Sequence, residues 1–485
     1  MPKATRKGGG QKGRDIEAPV GEMHEGRLAS PRTIRKIEKD LRSLHSVAEA
    51  HRIDLPISSF SDFLVKMKIC LNAHHGQRRG IRIIRTSMTF EELDADLRSQ
   101  FTSEKTLRAH LAELSVRMEK DDTLPEIDFC IRVEDALSKV LFQYFTFEDD
   151  QDPTHTSRRY VGIPHYICKD VPMHMQALMH TYPAGQRSHV GDSRHDVNNA
   201  KHKFYKLTGK TVKIKTKDRL GNTITTSVPE VVEVEEGNGL LHLSQAWHPQ
   251  GHPNDIRCSC DFLGGGVVKR FQAGQTCLSQ TWDIQKLVAL RLKSVDPNLY
   301  EEVEKSFRAG KQVRKDVMPG PYLSVAYLYK LQVGIHKDEN DFGLSAMVNF
   351  GSYTGGNLHI PQLGLKLKYR PGDVCFLRAM DLYHEVREWK ATQKLVGSGV
   401  EPGRVSMVFF NNKNAHKKLK DKKKEGTSVL YHPENSGAHE ARSAHLVNGN
   451  PIVFTTCTMG ISTKLKKGLD KTSEHTRMNM AIDAL

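Results

Sequence analysis

His336, Asp338 and His384 are the residues whose types and spacing best suit a chemical step. His336 and Asp338 stand two apart in GIHKDENDFG, so at the end of an extended strand both side chains point to one face. Of the 24 histidines, only His336 has an aspartate two residues on. His384, in DLYHEV after the Pro371-Gly372-Asp373 turn, could supply a third ligand. Two histidines and one carboxylate on one side of an ion form the facial triad of non-haem Fe(II) sites, with positions left open for a bidentate 2-oxo acid and dioxygen. Further on, in GRVSMVFF, Arg404 and Ser406 share one face of a strand while Val405, Met407 and Phe409 take the other. An inward guanidinium needs an anion, and its planar fork matches a carboxylate such as the distal one of 2-oxoglutarate. Each residue alone has a plainer reading: Arg404 could pair with an internal acid, and the other three could be ordinary surface polar groups. Their order within one β section favours the joint reading.

The elements that must position these residues are legible in outline. Ser30-Pro31 reads as an N-cap and first turn, with Ile34, Ile37, Leu41, Leu44 and Val47 recurring at helical spacing. SEKTLRAHLAELSVRM continues the helical pattern, and a further apolar helix is expected around Val133 to Phe147. The chain therefore divides into a basic disordered arm (1–29), a helical region (30–150) and a β-rich domain (151–475), with the acidic EDDQDP stretch at the boundary. Residues 211–234 read as a hairpin. The most regular β section spans the core, 320–412, where short apolar runs are separated by Gly, Pro and Asp turns. That succession fits a sandwich, barrel or jelly roll, so the fold class is α+β. The lysine-rich stretch 413–426 is expected to be an exposed loop, too charged to pack.

Composition narrows the partners. The 485 residues carry 72 Lys and Arg against 57 acids, a net charge of +15, and the pI is near 9.3. Such a balance favours a polyanion, with double-stranded DNA the expected partner. A solvated basic surface is the blander alternative. Eight cysteines without a disulfide rhythm point to a reducing compartment. No apolar run approaches the ~20 residues of a membrane span. The first 14 residues hold five basic side chains and no acid, which suits an arm that touches DNA or serves as a nuclear address, and the expected location is the nucleus.

HKDEND, YTGGNLHIPQLG, RPGDVCFLRAMDLYHEV and GRVSMVFFNN together resemble the double-stranded β-helix (jelly-roll) dioxygenases that use Fe(II), 2-oxoglutarate and O2. Within them the chain is similar to the TET/JBP group that oxidises 5-methylpyrimidines in DNA, and to its fungal, mushroom-type branch. The similarity is firm over 320–412, looser over 155–319, and none is seen for 1–150. It implies that His336, Asp338 and His384 hold iron and that Arg404 and Ser406 hold the co-substrate. It also implies co-substrate contacts for His359 and Tyr327. Base contacts would fall to Asp341, Phe410 and Asn412, where animal relatives carry Asn in place of Asp341 and His in place of Asn412. The implied activity is oxidation of 5-methylcytosine to hydroxymethyl-, formyl- and carboxylcytosine, with N6-methyladenine demethylation also open. A protein hydroxylase and a non-catalytic DNA-binding scaffold are the alternatives.

Other signals are weaker. His248, His252, Cys258, Cys260 and Cys277 have the residue types of a structural zinc site, but the spacing is not a standard one and two prolines interrupt it. Asn254 could reach a base from upstream. His180, His189, His195 and His202 read as a polar loop near DNA, and Trp247 and Trp282 as core.

Overall fold

The computed structural model describes residues 31–48, 52–75, 80–146, 162–163, 165–182, 202–217, 223–236, 239–247, 256–311, 317–392, 402–421, 444–447 and 450–453. The architecture is mixed α+β. The first part of the chain gives α1 (Pro31–Ala48), β1 (Arg52–Leu55), α2 (Phe60–His74), β2 (Arg82–Thr86), α3 (Phe90–Ser99), α4 (Glu104–Lys120), β3 (Ile131–Glu134) and β4 (Val140–Phe145). The middle holds α5 (His165–Cys168), α6 (Val171–Met179), a long hairpin of β5 (His202–Lys217) and β6 (Thr223–Glu236), β7 (Gly239–Ser244), and the helices α7 (Val268–Gln280), α8 (Trp282–Val295) and α9 (Pro297–Gly310). Then come β8 (Ser324–Tyr329), β9 (Ser345–Gly355), β10 (Leu358–Ile360), β11 (Leu365–Leu367), β12 (Val374–Leu377), β13 (Glu385–Val386), β14 (Trp389–Ala391) and β15 (Gly403–Phe410). α10 (Lys413–Leu419) and a short pair, β16 (Ala444–Val447) and β17 (Asn450–Val453), follow.

Among the described residues, ten strands form one sheet in the order β1-β2-β3-β4-β12-β9-β15-β8-β7, with β14 added on β9. A second sheet has the order β11-β10-β13. β1, β2 and β3 run parallel, and every pairing from β3 to β7 along the large sheet is antiparallel. One face of the large sheet packs on α1 and α6 to α9 through Val325, Val348, Phe376 and Met407. The other packs on α2 to α4 and the small sheet through Met347, Cys375 and Leu377.

This two-sided burial explains one departure from the sequence reading. The helix expected over Val133 to Phe147 is instead β3 and β4, turned at Ser138, whose φ is 63°. VLFQYF is buried at every position. A strand covered on both faces loses its polar–apolar alternation and reads as a continuous apolar run, which periodicity alone does not separate from helix. β4 pairs with β12, with Val374 opposite Phe145, so the sheet runs across the division expected near 150; EDDQDP itself lies outside the described residues. The hairpin expected over 211–234 is present in longer form, with Lys213 and Lys215 exposed.

The stretch 413–426, expected as a loop, begins as helix α10. Ala415, His416 and Leu419 are buried, and His416 Nδ1 lies 2.8 Å from the Ser306 hydroxyl of α9. Three positions at i, i+1 and i+4 are enough to seat a helix whose other faces carry exposed Lys413, Lys417 and Lys420. Residues 422–426 lie outside the described residues, as do the arm 1–29, His189, His195, His248, His252 and Asn254.

Candidate metal centre and its carboxylate pocket

The backbone brings His336 and His384 face to face before any side chain is considered. The His336 amide donates to the His384 carbonyl at 3.1 Å and the His384 amide to the His336 carbonyl at 3.0 Å, a single antiparallel bridge between two irregular segments. The Asp338 amide donates to the Ala379 carbonyl at 2.8 Å and turns the carboxylate toward the same point. Asp338 oxygens then lie 3.8 Å from His336 Nε2 and 3.7 Å from His384 Nε2. These separations are too long for hydrogen bonds. They fit three ligands on one ion, since bonds of about 2.0–2.2 Å allow neighbouring ligand atoms to stand ~3–4 Å apart. All three ligand atoms lie within 4.8 Å of one another.

Each imidazole is also set in the tautomer a metal needs. His336 Nδ1 is 2.8 Å from the Gly334 carbonyl and His384 Nδ1 is 3.1 Å from the Leu382 carbonyl, so each Nδ1–H donates there and Nε2 keeps its lone pair. Burial, then the neighbouring His384, push the His336 pKa down to about 4 against the pull of Asp338. At neutral pH the ring is uncharged and able to ligate.

The second half of the site stands on long strands. Val405, Met407 and Phe409 of β15 belong to the helix-covered core, while Val408 packs toward the small sheet. By the two-residue alternation Arg404 and Ser406 share the Val408 face, between the sheets. Arg404 is 3% exposed, its Nε has no hydrogen-bond partner, and among the described residues it makes no ion pair with a carboxylate. Its guanidinium lies 5.4 Å from the centre of the Tyr369 ring. β9 runs alongside with Asn349 opposite Ser406 and Gly351 opposite Arg404. The Ser406 hydroxyl donates to Asn349 Oδ1 at 3.0 Å, and the Tyr353 hydroxyl donates to the Tyr369 carbonyl at 2.9 Å. Burial pushes the Tyr353 pKa up and Arg404 pulls it back down in part, which sets the guanidinium and the phenol near each other. A buried guanidinium with a hydroxyl, an amide and a phenol near it, and no ion-paired acid among the described residues, has the chemistry to take an incoming carboxylate. Gly351 is required here: its φ is 100°, and a Cβ would stand 2.0 Å from the Gly403 carbonyl oxygen.

Asn349, Tyr353 and Tyr369 were missed by the sequence reading. The signal for the first two was present, because Asn349, Gly351 and Tyr353 alternate with Val348 and Phe350 in VNFGSY. Tyr369 gave no comparable signal; it precedes a turn and reaches the site only through the fold.

Two of the expected co-substrate contacts lie on faces that do not lead to Arg404. Tyr327 lies opposite Met407 in the β8–β15 ladder and so faces the helix-covered core, away from Arg404; its hydroxyl is 2.9 Å from Thr281 Oγ1. His359 lies opposite Glu385, on the face of β10 turned away from Leu358 and Val386, and its Nδ1 is 2.8 Å from the Ser115 hydroxyl of α4. Burial, then Arg387 and Lys366, hold the His359 pKa at about 3. The neutral ring therefore makes no true ion pair with Glu119, although 2.9 Å separates them, and Nε2 lacks an aligned acceptor.

The expected base contacts are placed unevenly. Asp341 is 6% exposed, accepts from the Ser345 hydroxyl, and is driven well above the usual carboxylate range by burial and by Asp338. Asn412 uses its Oδ1 to cap α10, accepting from Asn414 N at 3.0 Å and Ala415 N at 3.1 Å. Its expected role as a base reader loses that oxygen. Phe410 shares the Arg404 face but is 7% exposed, edge-on to His242 at 6.0 Å and to Trp247 at 6.3 Å. Of the zinc candidates, Cys277 is buried and Cys258 partly buried, each thiol pushed up to about 12 by burial, and Cys260 is exposed. Among the described residues these cysteines join no metal-binding group.

No protein-family model matches the chain, and no curated protein matches it. Among solved structures it is similar to NgTET1 in complex with 5mC DNA, at 13% identity and a TM-score of 0.35, over 65% of this chain and 92% of that one. It is also similar to the viral collagen prolyl hydroxylase vCPH of Paramecium Bursaria Chlorella virus-1 in its 2OG complex, at 13% identity and a TM-score of 0.18, over 36% of this chain and 77% of that one. Likeness this loose leaves the reaction to be read from the side chains. No described helix is long and apolar enough to cross a membrane.

Proposed function

We propose that the chain is an Fe(II)- and 2-oxoglutarate-dependent dioxygenase built on a double-stranded β-helix, and that its substrate is 5-methylcytosine in double-stranded DNA. The observation that carries the oxygenase reading is the convergent His336–Asp338–His384 set together with Arg404, a buried guanidinium that makes no ion pair among the described residues. His336 and His384 would present Nε2 and Asp338 one carboxylate oxygen to Fe(II). Arg404, Ser406 and Tyr353 would hold the far carboxylate of 2-oxoglutarate. Bound Fe(II) supplies the activation of dioxygen by which 2-oxoglutarate becomes succinate and CO2 while a methyl C–H becomes C–OH. This chain's residues orient the co-substrate, and the apolar surroundings (Leu358, Val386, Met347) exclude water.

The DNA reading rests on charge and on place. α10 starts directly after the last site strand and exposes Lys413, Lys417 and Lys420, which would meet phosphates of a duplex whose target base is flipped into the site. Phe410, with Trp247 and His242, gives that side of the site an aromatic wall on which a base could stack. The use of Asn412 as a helix cap weakens base reading by that residue. An oxidised protein side chain is therefore the second reading. To test the proposal, the protein is incubated with Fe(II), 2-oxoglutarate, ascorbate and duplexes carrying 5-methylcytosine or N6-methyladenine, and nucleosides are read by mass spectrometry. Hydroxymethylcytosine is expected. Turnover of 2-oxoglutarate with neither duplex changed would reject DNA as the substrate.

A further inference from the structure

Lys337 stands between two of the metal-centre ligands, and its side chain points the opposite way, onto α4. Its Nζ lies 2.7 Å from Glu104 Oε1, and only 12% of the side chain is exposed. The same oxygen accepts from the Tyr383 hydroxyl at 2.5 Å, and Tyr383 immediately precedes His384. Glu104 Oε2 meanwhile takes Arg98. Four residues along the same face of α4, Arg108 Nε donates to the Ile335 carbonyl at 2.9 Å, immediately before His336. Tyr383 is held from a second side, its amide donating to Gln362 Oε1 at 2.6 Å, and Lys337 Nζ lies 4.9 Å from the Tyr383 ring.

We propose that Glu104 is a positioning residue of the metal centre, a single carboxylate that ties the His336–Asp338 segment to the His384 segment through Lys337 and Tyr383. The segments need such a tie because, among the described residues, one isolated bridge and the flanking bonds from the Asp338 amide to the Ala379 carbonyl and from the Val386 amide to the Val333 carbonyl join them, not a strand ladder. Without Glu104, a largely buried ammonium would stand unpaired beside a site meant for a dication, and the hydroxyl beside His384 would lose its acceptor. The start of α4 is itself fixed: Ser103 and Thr106 form a capping box, with the Thr106 amide 3.2 Å from Ser103 Oγ and the Ser103 amide 3.1 Å from Thr106 Oγ1. Burial opposes the charge on Glu104, but Lys337, Tyr383 and Arg98 together hold its pKa at about 2, so the clasp is closed at any physiological pH.

The proposal rests on the metal-centre reading, and the test separates the two. Co(II) is titrated anaerobically into the full chain and read by its visible absorption, beside the thermal midpoint of the metal-free protein. For Glu104→Gln the expected result is a Kd raised about tenfold with the midpoint little changed. In a Lys337→Met background the same substitution should cost much less, because the ammonium it would strand is gone. Tyr383→Phe, which deletes one hydroxyl, should raise the Kd several-fold and serves if Glu104→Gln does not fold. Wild-type Co(II) binding with an unchanged Kd in the variants would overturn the positioning role alone. Absence of Co(II) binding by the wild type would overturn the metal reading, and the positioning role with it.

Discussion

The metal end and the carboxylate end of the proposed site are built in opposite ways. Arg404 and Ser406 stand on an eight-residue strand laddered on both sides, to β8 and β9, so their direction follows from alternation alone. His336, Asp338 and His384 stand on irregular segments joined by one two-bond bridge and scattered backbone bonds beside it, and braced from outside by α4. A site on a paired strand is fixed by the sheet, whereas one on isolated segments depends on the neighbours that clasp it. Substitutions at the two ends should therefore fail differently.

The largest effect is expected from Asp338→Ala, which removes the only carboxylate of the set. Turnover should fall at least a hundredfold and metal affinity should drop with it, both measurable by succinate formation and by metal titration. Retained turnover would remove Asp338 from the set. Next comes Arg404→Lys, which keeps the charge but loses the fork; KM for 2-oxoglutarate should rise roughly ten- to a hundredfold with metal affinity unchanged. An equal loss of metal affinity would show that the two ends are not separable. Asp373 tests the strand end by pH. Burial raises its pKa from 3.8 to about 6, against the pull of Arg370 and Tyr144. The folded state therefore binds that proton more tightly than the unfolded one, and the stability it contributes, at most about 3 kcal/mol, is present below about pH 4 and lost as pH rises through about 6. Asp373→Asn should flatten that slope in urea midpoints taken at pH 4.5 and 6.5; an unchanged slope would assign it to another group. Tyr353→Phe should be mildest, with a KM increase of a few-fold because Arg404 and Ser406 remain.

The same contrast decides what could be read from sequence. Alternation placed Arg404, Ser406 and Phe410 on one face because β15 is regular, and residue type and order alone grouped His336, Asp338 and His384. Tyr327 and His359 were implied by resemblance alone, and which face each side chain takes was set by the pairing of β8 with β15 and of β10 with β13, which the sequence does not show. β3 and β4 read as helix because burial on both faces removed their alternation. The bracing by Glu104 and Arg108 was not legible at all, since it joins residues more than two hundred positions apart through packing of α4.

The most direct test is an anaerobic titration of 2-oxoglutarate into the Fe(II)-loaded protein, followed in the visible spectrum. A metal-to-ligand charge-transfer band that grows to saturation at one equivalent, needs far more co-substrate in Arg404→Lys and is absent in Asp338→Ala is the result predicted here. Fe(II) bound by the wild type with no such band would contradict a site in which the triad and Arg404 serve one co-substrate.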